Sequence, residues 1–169
     1  IARPERTQAL NEFGLEMDCK AFHETIVVKA SADLSVLGDA DLVLLSVKSL
    51  DTERTLAQIQ SILPSKAVIL SLQNGVANIE IASKIASNPV YAAVVYVAAG
   101  MIGQRTMKHH GRGELLIGNP AQANPADEQN LQEISNLFEG AGVKCSVAPQ
   151  IKRDMWLKFL VNCSFNAIS

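Results

Sequence analysis

Lys158, Asn162 and Asn166 recur at i, i+4 and i+8, and at ~100° per residue that spacing puts all three in one narrow stripe of a helix. Nearly every other residue from Met155 to Ile168 is apolar or small. A helix that is apolar around most of its circumference is expected to be buried. Its single polar stripe is then expected to face a wet cleft or a ligand, because an ammonium or amide buried without a partner is costly. The stripe offers hydrogen-bond donors and no carboxylate, which suits an anionic, oxygen-rich ligand. A solvent-facing stripe on an otherwise packed helix would account for the same spacing.

Two further polar groups fall where strands should end. The run Leu42 to Val47 delivers Lys48-Ser49, and the run Ala67 to Leu72 delivers Gln73-Asn74-Gly75. In an open parallel sheet, ligands bind beyond the carboxyl ends of the strands, so an ammonium, an amide and a close-approach glycine would share one edge. Strands must also turn, and Lys, Ser, Asn and Gly are common turn residues; both readings stand. Arg3 would lie where the second strand of a dinucleotide fold meets its helix, a place where arginine accommodates the 2′-phosphate of NADP. Arg3, Arg6 and the Asp127/Glu128 pair read most simply as helix-end or surface charges. His109 and His110 are adjacent, so on a strand they point to opposite faces and cannot chelate one metal. No G-x-S-x-G motif, paired-carboxylate spacing or P-loop is present.

The elements that must position these groups are legible in outline. Glu5 to Phe13 suits a short helix stopped by Gly14. Lys20 to Ala30, with its β-branched run Thr25 to Val28, reads as a strand, and Leu42 to Val47 reads as a central strand, apolar on both faces. Thr52 to Leu63 is helix-like, Ala67 to Leu72 is a second buried strand, and Asn78 to Ser87 is a helix again. That alternation with short joints predicts a βαβ sheet. Val90 to Met101 and Glu114 to Gly118 then read as strands around a turn at Gly111-Arg112-Gly113. Asp127 to Glu139 is a helix stopped by Gly140-Ala141-Gly142, Lys144 to Val147 a last strand, and Pro149 the break before the terminal helix.

The chain has 169 residues, 48% of them hydrophobic and 19% charged, enough for a packed core. Fifteen basic against 17 acidic residues give a net charge of −2, without the basic footprint of a nucleic-acid binder. The longest weakly polar stretch, Val90 to Gly103, is about 14 residues against the ~20 needed to span a bilayer, so no membrane anchor is expected. Cys19, Cys145 and Cys163 are odd in number and form no C-x-x-C pair, which makes a reducing cytoplasm the simplest home. Ile1 to Pro4 reads like a strand tail running into a helix, and Ser164 to Ser169 has no stop signal, so both ends are expected to be cuts in a longer protein.

Several segments together resemble the ketopantoate reductase (2-dehydropantoate 2-reductase) family. They are Ala2-Arg3 before a helix ending near Gly14-Leu15, Ala40 to Lys48, Ser71-Leu72-Gln73-Asn74-Gly75-Val76, the H-x-G-x-G of His109 to Gly113, Ile117-Gly118, and Trp156 to Cys163. The terminal W-x-K-x-x-x-N-x-x-x-N and the LQNG turn are the most specific. The resemblance implies an α/β fold with a Rossmann-like, largely parallel sheet, its first strand and Gly-rich loop missing from the chain, followed by the first helix of an all-α C-terminal domain. Residues 1–149 would be the NADP-binding domain and 150–169 the start of a helical substrate and dimerisation domain. It further implies NADPH-dependent reduction of a small 2-keto acid, ketopantoate foremost, in pantothenate and coenzyme A biosynthesis, by a cytoplasmic enzyme, with a homodimer as a possible assembly. Lys158 would be the general acid; Asn162, Asn166 and Asn74 would contact substrate; Arg3, Lys48 and Asn74 would contact cofactor. A reductase of a different 2-keto acid and a non-catalytic NADP(H)-binding paralogue are the alternatives. The family's G-x-G-x-x-G loop and substrate-binding glutamate have no counterpart in the sequence, and Ala167 stands where the family usually has proline.

Overall fold

Pro4, with φ preset and no N–H to waste at a helix start, opens α1 (Pro4–Phe13), and Gly14 at φ +72° closes it by donating its N–H to the Leu10 carbonyl. The computed structural model describes residues 1–121 and 124–166, the side chains of 165 and 166 excepted. Two compact units emerge: Ile1–Val36 with Tyr96–Gly113, and Leu37–Val95 with Glu114–Ser169. Two long strands, β5 (Val90–Ile102) and β6 (Thr106–Gly118), each give residues to both units.

In the first unit β1 (Leu15–Cys19) pairs antiparallel with β2 (His23–Ile26) and parallel with the opening of β6, Glu16 opposite Thr106. Thr106 Oγ1 donates to Glu16 Oε2 at 2.7 Å, and this bond above all holds the Glu16 carboxyl below its ordinary range. The expected strand over 20–30 is therefore cut to four exposed residues, and Val27 beyond it is 91% exposed. β-Branched residues favour a pleated conformation but do not require burial. The true inner strand is β1, whose alternation of Leu15, Met17 and Cys19 with Glu16 and Asp18 was the better period-2 signal.

The hairpin turn also moves. The chain reverses at 103–105, with Gly103 at φ +66°, whereas 111–113 lie inside β6. Gly111, Arg112 and Gly113 all have positive φ, and Arg112 is the non-glycine among them at φ +57°. The two glycines flanking Arg112 here mark a distortion within a strand rather than its end.

The second unit holds the βαβ rhythm. β3 (Leu42–Leu45), α2 (Thr52–Ile59), β4 (Val68–Ser71), α3 (Ala77–Ile85) and the opening of β5 follow in order, β3 parallel to β4 and β4 parallel to β5. β7 (Cys145–Val147) runs parallel to the end of β6, with α4 (Pro125–Gly140) between them. All four residues of β4 are buried, as a central strand covered on both faces requires. Val68 and Leu70 pack with Tyr91, Ala93, Ile117, Leu131 and Ile134, while alternation turns Ile69 to the opposite face. β3 departs from the central place expected for it. It ends the strand order among the described residues, and Leu44 is 44% exposed.

Helix boundaries shift for local reasons. α2 stops at Ile59, and turn bonds from Ile62 and Leu63 back to the Ile59 carbonyl carry the chain to Pro64. α4 starts two residues before Asp127 because Asn124 and Asp127 form a capping box. Asp127 Oδ1 also accepts from the Tyr91 hydroxyl at 2.8 Å. Last comes α5 (Ile151–Asn166). Among the described residues no helix is long and apolar enough to cross a membrane.

Candidate active site

At the carboxyl end of β3 the backbone extends through Ser46 and Val47 to Lys48 (φ −63°, ψ 149°) before a 3₁₀ turn at Ser49–Asp51. At the end of β4 it passes through Gln73 and Asn74 to Gly75, whose φ of +92° is a conformation that L side chains rarely adopt. Two buried amides brace these loops. Gln73 Nε2 donates to the Val47 carbonyl at 2.8 Å and to Thr52 Oγ1 at 2.7 Å. Asn78 Nδ2 donates to the Asn74 carbonyl at 2.8 Å and to Ser49 Oγ at 2.9 Å.

α5 is seated on the end of β6. Gly118 has no side chain because Ile151 fills its place: a Cβ there would lie 2.7 Å from Ile151 Cβ and 2.8 Å from the Ala148 carbonyl. Ile151 and Met155 are buried. Lys158 and Asn162 continue the same helical face, since steps of four, three and four residues return to nearly the same angle. Lys158, half-buried, donates from Nζ to Asn74 Oδ1 at 2.9 Å and to the Val95 carbonyl.

The burial expected for this helix does not hold among the described residues. Trp156 and Leu160 are 53% and 57% exposed, with Leu157 and Val161 similar. The described structure meets α5 along one face alone, and that face carries the polar stripe. Lys158 and Asn162 thus point toward the strand ends, although the premise of an all-round buried helix fails.

Asn74 stands between two recesses. On one side Lys158, Asn162, Gly75, Met155 and Phe159 line a small cavity of about 10 Å³. On the other, Ser46 to Ser49 and Leu72 to Asn74 line an open cleft of about 400 Å³, with Lys48 exposed at its wall. Lys48, Asn74, Lys158 and Asn162 therefore gather at one sheet edge. Arg3 lies in the first unit, exposed at the start of α1, where its carbonyl accepts from the Arg6 and Thr7 N–H groups. The backbone of α5 reaches Asn166, whose side chain lies outside the described residues. His109, on β6, has Nε2 against the Arg112 carbonyl.

Sequence reasoning named Gln73 without a role and missed Asn78. The available signal was an asparagine four residues after Asn74, in the first turn of a helix, where an amide reaches back to the preceding loop. The Val95 carbonyl carries no sequence signal.

Parallel strands β3, β4 and β5 crossing through α2 and α3, with an ammonium and amides beyond their carboxyl ends, define a Rossmann-like α/β protein. A family model described as ketopantoate reductase PanE/ApbA matches residues 1–122. The chain belongs to that family. A 2-dehydropantoate 2-reductase of Halobacterium salinarum is 32% identical over 138 residues, 81% of this chain and 44% of the relative. That of Pyrococcus horikoshii is 28% identical over 99% of this chain and 54% of the relative. The chain thus spans about half the length of the curated relatives it matches. A crystal structure of a PanE/ApbA family ketopantoate reductase from Ralstonia eutropha JMP134 superposes with a TM-score of 0.86 at 37% identity, covering 96% of this chain and 52% of that one. The ternary structure of a D-mandelate dehydrogenase with NADH and anilino(oxo)acetate shares the fold at 20% identity, TM-score 0.81, covering 93% of this chain and 50% of that one.

Proposed function

We propose that the whole protein is a cytoplasmic, NADPH-dependent reductase of a small branched 2-keto acid, with 2-dehydropantoate, reduced to pantoate for pantothenate and coenzyme A biosynthesis, as the foremost substrate. The observation that carries this reading is the 2.9 Å bond from Lys158 Nζ to Asn74 Oδ1. It brings a helix ammonium, 84 residues away in sequence, to the edge where open α/β sheets take their ligands.

The side chains at this edge fit a nicotinamide dinucleotide: the cleft of about 400 Å³ is walled by Lys48, Ser49 and Asn74. In the first unit, Arg3 is an exposed cation whose chemistry suits a 2′-phosphate. When bound, the cofactor supplies hydride to the 2-keto carbon. Lys158 holds the proton at Nζ and gives it to the keto oxygen. Its charge stabilises the developing alkoxide more than the ketone, so the contribution falls on the transition state. Asn74 orients that ammonium and forms the wall common to the cofactor cleft and the cavity beside Lys158. Asn162, and Asn166 from the next turn, orient the substrate from the same helix face. Residues 1–149 serve as the cofactor domain, and 150–169 open a helical substrate and dimerisation domain.

The test is to assay the full-length protein with NADPH and with NADH against a panel of 2-keto acids. The expected result is NADPH oxidation with ketopantoate, at a kcat/KM at least about tenfold above that with NADH, the size of one charge-assisted contact to the 2′-phosphate. No oxidation with any 2-keto acid would overturn the reading.

A further inference from the structure

Asn78 takes no direct part in the chemistry proposed above, yet it is 6% exposed and its Nδ2 serves both loops that do. Gly75, next to Asn74, is the most permissive residue a backbone can contain. The chain on that side of Asn74 does little to fix its orientation. The fixing comes from the Asn78 amide, which holds the Asn74 carbonyl at 2.8 Å and anchors it to Ser49 Oγ at 2.9 Å. Gln73 makes the parallel tie, from the same loop to the Val47 carbonyl. Asn74 in turn presents Oδ1 to Lys158 Nζ at 2.9 Å, a distance that a shift of about 1 Å would carry outside hydrogen-bonding range.

We propose that Asn78 is a positioning residue of this site: by tying the Asn74 backbone to Ser49 it sets the place of Asn74 Oδ1, and through it that of the Lys158 ammonium. The kinetic consequence rests on the reductase reading; the tie itself does not.

The experiment compares Asn78→Ala, Asn74→Ala and the double variant in the full-length protein. Asn78→Ala is expected to lower kcat by about 10- to 100-fold, the scale of a 1 Å misplacement, a larger change than in the cofactor KM. Because Asn78 acts through Asn74, the double variant is expected within about threefold of Asn74→Ala alone. Multiplied effects, or a lower Tm with kcat intact, would overturn the proposal. A second readout needs no turnover. In the ligand-free protein the backbone order parameters of Asn74 and Gly75 are expected to fall from about 0.85 toward about 0.6 in Asn78→Ala, and unchanged values would overturn the tie. If the loop loosens in the variant while the wild type reduces no 2-keto acid, the tie stands and the reductase reading falls. Asn78→Asp, which keeps the volume and removes the N–H donors, gives the same comparison should the alanine variant fail to fold.

Discussion

Gly118→Ala places one methyl group at the seam between β6 and α5. The new Cβ would lie 2.7 Å from Ile151 Cβ, 3.1 Å from its Cγ2 and 2.8 Å from the Ala148 carbonyl oxygen, where carbon contacts normally fall at roughly 3.5–4.0 Å. Neither neighbour can yield alone. Ile151 is fully buried, and Ala148 is pinned by its N–H to the Ile117 carbonyl at 2.8 Å. The start of α5 must therefore move outward by about 1 Å, at the cost of about 1–3 kcal/mol typical of overpacking. At about 2–4 °C per kcal/mol, Tm should fall by about 2–12 °C. Lys158 sits seven residues along the same helix, roughly 10 Å from the seam at ~1.5 Å per residue. A rigid helix carries the displacement to its ammonium and lengthens the 2.9 Å bond to Asn74. The expected kinetic signature in the full-length protein is a kcat lower by about 10- to 100-fold with cofactor affinity unchanged, read by thermal melting, steady-state kinetics and cofactor titration. An unchanged Tm would refute the seating of Ile151 on Gly118. A lowered Tm with kcat intact would refute the claim that this seating places Lys158.

Other expectations concern stability and charge. Tyr91→Phe leaves Asp127 Oδ1 and Asn130 Nδ2 without the hydroxyl that joins them, and should cost roughly 1–3 kcal/mol in a denaturant titration. Burial pushes the Tyr91 phenol up to about 12, so between about pH 10 and 12 the unfolded chain binds fewer protons than the folded one. Stability should decline with rising pH across that window, and Tyr91→Phe should remove that part of the decline. Arg3→Ala is expected to weaken NADPH binding by about 10- to 100-fold while changing NADH binding little, as loss of one charge-assisted contact would; equal losses for both cofactors in a fluorescence titration would contradict the 2′-phosphate role. Lys48→Ala should raise the cofactor KM with a smaller effect on kcat, and the reverse pattern would move Lys48 from binding to chemistry.

The βαβ rhythm of the second unit was legible because β4 is apolar but for Ser71 and its flanking helices carry one apolar face each. The 15–19 strand carries an alternation of its own, but what holds its polar residues Glu16 and Asp18 is not local: Thr106 and Lys108 reach them from a strand some 90 residues on. Glycines misled at 111–113, where composition suggests a turn and cross-strand pairing keeps the chain in β6. The Lys158 stripe was legible as a periodicity, yet the all-round burial that motivated it does not hold among the described residues, where Trp156 and Leu160 are more than half exposed. Asn74 was visible as a turn residue. Its partnership with Lys158 is a tertiary fact, and Asn78, which holds it, looked like any polar residue in the first turn of a helix.

The most direct test of the central claim is Lys158→Ala in the full-length protein, with turnover of ketopantoate and equilibrium binding of NADPH measured on the same preparation. A proton donor that also stabilises the developing alkoxide should be worth about 10²- to 10⁴-fold in kcat, while NADPH affinity stays within about threefold of wild type. A variant that keeps its kcat within a few-fold, or loses cofactor binding in step with turnover, would contradict the account.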